Sequence, residues 1–125
     1  MALGRVLVIG LDPARLSGWD PGPVLAGIAR GRDRFVELGI DADFCLVAPD
    51  DRPEADIVGA LTAHDYTCVV VGGGLRDPSL LGLLESTINL IRRHAPGAAI
   101  AFNNTPDGTP DAALRWLHPA ETPPN

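Results

Sequence analysis

Four short, largely apolar runs, at 6–9 (VLVI), 44–48 (FCLVA), 67–71 (TCVVV) and 99–102 (AIAF), alternate with segments whose apolar residues recur at helical spacing. A strand apolar at successive positions is buried on both faces, which marks a parallel sheet covered by helices. Parallel neighbours cannot be joined by a tight hairpin. Each needs a crossover, and these connections are long enough to hold a helix. The expected architecture is α/β: a three-layer sandwich around a four-stranded parallel sheet. Right-handed crossovers leave few topologies, and strand order 2-1-3-4 is favoured among them.

The helical segments carry their own punctuation. Pro21 or Pro23 opens the first, with Asp20 placed to cap it; Val24, Ile28, Phe35 and Leu38 form its inward stripe, and Gly39 ends it. The second runs over 53–64, with Asp51 and Glu54 in near capping-box spacing and Ile57, Val58 and Leu61 turned inward. The third covers 79–94 and the fourth starts at Thr109-Pro110, continuing through Leu114 and Leu117. With no linker or repeat, a single domain is expected over 1–118, followed by a flexible proline-rich tail at 119–125.

Composition removes several functions. The chain is 125 residues long and 46% hydrophobic, enough to bury a core, yet no apolar run approaches the roughly 18 residues of a membrane span. The N-terminus leads directly into the first strand without signal-peptide organisation, so a cytoplasmic location is expected. A net charge of −6 opposes sequence-independent nucleic-acid binding; Arg30, Arg32 and Arg34 sit beside Asp33 and Glu37 and read as a solvated helix face. All ten basic side chains are arginine, which excludes a lysine Schiff base and a Walker lysine. Cys45 and Cys68 lack CxxC spacing and read as buried reduced thiols. His64, His94 and His118 are widely separated near helix ends, so no metal cluster is expected, and the residues name no cofactor.

Ligands of open parallel sheets bind outside the carboxyl ends of the strands, where strand order reverses. With order 2-1-3-4 the turns after Ile9, Val71 and Phe102 converge on one rim. Gly72-Gly73-Gly74-Leu75-Arg76 follows the third strand. There Gly73 and Gly74 let the backbone approach a ligand or simply supply positive φ for a tight turn, and Arg76 is either an anion clamp or an ion-pair partner of Asp77 or Glu85. Asp12 reads as an acid/base or as the start of a turn before Pro13. Asn103 and Asn104 leave the fourth strand as adjacent amides, one expected to meet a ligand and the other to order the turn before Pro106. Trp19, in the long loop after the first strand, stacks on a planar ligand or anchors the loop. Glu85 and Asn89, one helical turn apart, line a cleft or face solvent.

The third helix is richer in leucine than one stripe requires. Leu80, Leu84, Ile88 and Ile91 form the core stripe, leaving Leu81, Leu83 and Leu90 either to pack on the second helix or to make a homodimer contact.

At fold level the layout resembles receiver domains of response regulators. Asp12 matches their acidic loop loosely, but Gly72 stands where the phosphoacceptor should end strand three, and the fifth strand and its lysine are missing. Residues 11–17 (LDPARLS) depart from the phosphate loop of flavodoxins and lack the histidine of cobalamin-binding domains, and Gly72 to Asp77 does not complete GxGxxG. The combination VLVIGLDP, VVVGGGLR, ESTINLIRRHAPGAAIAFN and AALRWL resembles a group of small single-domain bacterial proteins of uncharacterised function, over 6–117. That resemblance implies a flavodoxin-like or receiver-like fold and no particular activity. The expected function is a binding or regulatory module taking a small anionic ligand at Gly73, Gly74 and Arg76. The alternatives are a small enzyme using Asp12 at the same edge and a protein-interaction domain using the third helix.

Overall fold

Each apolar run becomes a strand, and two extend beyond their apolar core. In the computed structural model, which describes residues 4–117, β1 spans Arg5–Leu11, β2 Asp41–Val47, β3 Cys68–Val71 and β4 Ala99–Phe102. All neighbours run parallel, in the order β2-β1-β3-β4. His118 and the expected tail at 119–125 lie outside the described residues. The helices are α1 (Gly22–Glu37), α2 (Pro53–Ala63), α3 (Leu81–His94) and α4 (Thr109–Leu114).

Strand alternation divides the core in two. Val6 and Val8 of β1 with Cys68 and Val70 of β3 meet Phe35 of α1 and Ala112 and Ala113 of α4. Leu7 and Ile9 with Val69 and Val71 meet Ile57 and Leu61 of α2 and Ile91 of α3 on the other face. Residues two apart on a strand share a face, so one apolar run serves both layers.

β2 begins at Asp41, earlier than its apolar residues indicate, because Asp43 has partners at the sheet's amino end. The Arg5 guanidinium donates to both Asp43 carboxylate oxygens at 2.6 and 3.0 Å, and the Tyr66 hydroxyl donates to one at 2.8 Å. Arg5 holds the Asp43 carboxyl below its usual range, while burial pushes the Tyr66 hydroxyl up to about 12.

Helix ends show which punctuation holds. α1 stops where Ile40 N–H bonds the Phe35 carbonyl and Gly39 N–H bonds that of Val36, the paired bonds of a Schellman ending. Asp20 accepts from Gly22 N–H at 2.9 Å, but the cap position of α1 is Pro21, without a side-chain cap bond. The expected capping box of α2 does not form. Arg52 occupies the cap position at φ 51° without a side-chain cap bond, and the Asp51 carboxylate turns instead to Arg15 at 3.0 Å. The third helix is preceded by a short 3-10 turn at Pro78–Leu80, in which Asp77 accepts from Ser79 N–H and Oγ.

Candidate functional site

Cys45, Ile9, Val71 and Phe102 form one row across the sheet, in register from β2 to β4. Their parallel direction sends every following loop to the same rim. There a cavity of about 280 Å³ opens beneath the loop after β1, with Val8, Phe44 and Leu46 of the sheet as floor and Val24 and Ile28 of α1 as wall. Gly72, Gly73 and Gly74 after β3 and Asn103 to Pro106 after β4 close it, and Trp19 lines it while remaining 46% exposed. The volume lies near the lower end for small-molecule sites and well above the roughly 150 Å³ that holds one benzene. No charged side chain is among the lining residues.

The glycine turn differs from its expected form. Residues 73–76 make a 3-10 turn, and none of the three glycines has positive φ. Tight space is what favours glycine. A Cβ on Gly72 would stand 3.3 Å from the Gly10 Cα and the Ile9 oxygen, and one on Gly74 3.0 Å from Leu11 Cδ1. The loop after β3 thus presses against the end of β1, and absence of a side chain permits it.

Asn103 ties the rim together. Only 5% exposed, it accepts from Gly73 N–H at 3.0 Å and donates from Nδ2 to Thr109 Oγ1 at 2.9 Å. Thr109 in turn donates to the Pro106 carbonyl at 2.6 Å. One amide therefore satisfies three elements: the β3 loop, the β4 loop and the start of α4. Asn104 is the outward member of the pair. It lines the cavity, is exposed, and its carboxamide has no hydrogen-bond partner among the described residues.

The charged candidates lie apart from the cavity lining. Arg76 is exposed; its guanidinium donates to the Asn103 carbonyl and sits 5.5 Å from the centroid of the Phe102 ring. Asp77 is occupied by Ser79 rather than by Arg76. Asp12 accepts from Ala14 N–H at 3.0 Å, starting a 3-10 turn at Pro13–Arg15, and pairs with Arg15 at 3.0 Å. Arg15 also reaches Asp51 and the Leu46 carbonyl, so the three side chains fasten the β1 and β2 loops to each other.

Elsewhere, the leucine surplus of α3 narrows. At about 100° per residue, Leu83 and Leu90 fall on one flank of a broad inward face and Leu84 and Ile88 on the other, with Thr87 and Ile91 fully buried between them. Thr87 returns its hydroxyl to the Leu83 carbonyl at 2.8 Å. Only Leu81 is left outward, 60% exposed. Asn89 donates to the Glu85 carbonyl at 2.9 Å beside a groove between α2 and α3 that Glu54 and Arg93 also line. His64 stands edge-on to Tyr66 with ring centroids 6.0 Å apart. Cys45 and Cys68 are free, and burial pushes their thiols up, that of Cys68 to about 11. Both are therefore poor nucleophiles at neutral pH. The arginines of α1 do more than face solvent: Arg34 grips Asp111 of α4 through two bonds at 2.8 and 2.9 Å, and Arg32 covers the Phe44 ring at 4.1 Å.

Sequence reasoning did not find Val24, Ile28, Phe44 and Leu46 as cavity residues, because apolar residues at helical or strand spacing read as filled core. One signal was present in Gly27 and Gly31 of α1. A Cβ at Gly31 would meet the Pro106 carbonyl oxygen at 2.6 Å, so the β4 loop lies directly on the helix backbone. No protein-family model, no curated protein and no solved structure matches the chain.

Proposed function

We propose that the chain is a binding module for a small molecule, received in the cavity at the carboxyl edge of the sheet. The observation that carries this reading is a cavity at the carboxyl rim of the sheet, floored by β1 and β2 and closed by the glycine turn after β3, beside the β1–β3 boundary where strand order reverses. The anionic-ligand reading depends on Arg76, which is outside the lining, so an anion would dock on the rim at Gly73, Gly74 and Arg76 rather than inside. The enzyme alternative has less support, because Asp12 is held by Arg15 and Ala14 away from the cavity.

A thermal-shift screen of phosphorylated metabolites, carboxylates, nucleotides, flavins and uncharged ring compounds tests the reading. At least one compound is expected to raise the melting temperature, since a ligand preferring the native state stabilises it. Val24→Phe, which fills the cavity, is expected to abolish the shift. A screen with no shift, or a shift indifferent to Val24→Phe, overturns the reading. The same proposal includes flavodoxin-like or receiver-like kinship with the small bacterial proteins named above, a cytoplasmic location, and self-association through the exposed Leu81. Light scattering giving a monomer mass at micromolar concentration removes the last.

A further inference from the structure

We infer that the ligand of this cavity is uncharged, with a flat apolar body against Trp19 and a neutral head that both donates and accepts hydrogen bonds. The inference rests on the binding-module reading and adds the chemical class.

Charge is excluded by what surrounds the cavity. None of its lining residues is ionisable, and three of the nearby cations are paired with carboxylates. Arg15 is shared between Asp12, Asp51 and the Leu46 carbonyl. Arg34 is held by Asp111 and the Asp107 carbonyl, and Arg30 stands 3.7 Å from Asp107. Arg76, bonded to the neutral Asn103 carbonyl, keeps its charge on the rim, outside the lining. A charged ligand seated against these lining residues would lose part of its water and meet no counterion among them, which is unfavourable. The net charge of −6 adds long-range opposition to anions.

The polar inventory decides the head group. Gly73 N–H, both ends of the Asn103 amide and the Thr109 hydroxyl are used within the rim, and Thr105 Oγ1 accepts from Gly108 N–H at 3.2 Å. Besides the Trp19 indole N–H, which offers a single donor, the Asn104 carboxamide is the lining side chain with polar atoms unspent. It offers an acceptor and two donors, so its best complement is a group carrying both, such as a primary amide, a lactam or a neutral heterocyclic imide. The body follows from the apolar remainder of the cavity: Val8, Leu46, Val24 and Ile28 opposite an indole. A cavity of about 280 Å³ suits one substituted ring.

Benzamide, benzoate and benzamidinium share size and shape and differ in charge, so they form the test set, with inorganic phosphate as a rim probe. Binding is read by thermal shift and by Trp19 fluorescence in Trp116→Phe, which leaves Trp19 as the only indole. Benzamide is expected to shift both signals, and benzoate and benzamidinium to bind at least about tenfold more weakly, the cost of an unpaired charge. Val24→Phe and Trp19→Ala are each expected to remove the benzamide effect; the second substitution alters a half-exposed side chain and preserves the fold. Benzoate or benzamidinium binding as tightly as benzamide, with the effect lost in Val24→Phe, overturns neutrality and leaves the binding module standing. A phosphate shift lost in Arg76→Ala and kept in Val24→Phe also overturns the inference, placing an anion on the rim. Absence of any benzamide effect while other screened compounds bind refutes the amide head and flat body alone; silence throughout refutes both readings.

Discussion

The two faces of the sheet are built on different principles although the same strands supply both. Toward α2 and α3, large aliphatic side chains fill the layer: Leu7, Ile9, Ile57, Leu61, Leu75 and Ile91 are all essentially inaccessible. Toward α1 and α4 the helices contribute glycine and alanine at the closest approaches, Gly27, Gly31, Ala112 and Ala113. These helices are also fastened by charge, through Arg34 with Asp111, and Arg34 donates as well to the Asp107 carbonyl. Close packing of large side chains leaves no void there, whereas on the second face Gly27 and Gly31 let the β4 loop lie on α1, and the cavity opens between that helix, the loop and the sheet. A ligand site can therefore arise on the second face without sacrificing the core of the first.

Truncation on each face tests this contrast most strongly. Ile57→Ala removes a fully buried side chain and is expected to cost about 2–5 kcal/mol, whereas Ile28→Ala, at the cavity wall, is expected to cost less than about 2 kcal/mol. Equal losses in denaturant unfolding would mean that the cavity face is packed as tightly as its opposite. Next comes Gly31→Ala. Alanine in a helix normally gains about 1 kcal/mol over glycine. Here the clash with Pro106 is expected to reverse the sign, for a net loss of about 1–3 kcal/mol and displacement of the β4 loop visible in amide chemical shifts.

Asn103→Ala leaves Gly73 N–H and Thr109 without their shared partner, an expected loss of about 1–3 kcal/mol. Its signature is faster hydrogen exchange at Gly73 and in α4 while α2 stays protected. The smallest effect is acid lability of the charged face. Arg34 holds the Asp111 carboxyl below its usual range, so its contribution is complete above the unfolded-state value near 4 and is lost as pH falls through the lower folded value. Amides of α4 are expected to open before those of α2 and α3 on acidification, and Asp111→Asn to remove the difference. Simultaneous opening would show that the ion pair does not hold α4.

Topology was legible because burial on two faces writes itself into consecutive positions, as in residues 68–71, whose side chains alternate between both cores. Strand β4 ends where its apolar run ends; β2 starts earlier because Asp43 is matched by Arg5 and Tyr66, partners distant in sequence. The rim was legible as a location, since parallel strands deliver their loops to one side. Its internal assignments were not. Whether Asn103 or Asn104 faces a ligand depends on which amide meets Gly73 and Thr109, and the fate of Asp12 depends on Arg15 three residues later and on Asp51. A void leaves no trace in sequence, because Val24 and Ile28 look the same beside empty space as beside a neighbour.

β1 lies in the interior of the sheet, between β2 and β3, although it comes first in the chain. During synthesis it leaves the ribosome early, and β2 and α2 can cover part of it. Its second edge stays open until residues 68–71 emerge to pair with Val6 to Ile9. A nascent chain arrested before that point exposes an unpaired apolar edge, the kind of template on which other chains aggregate. The open edge then passes to β3, until residues 99–102 emerge to pair with Cys68 to Val71.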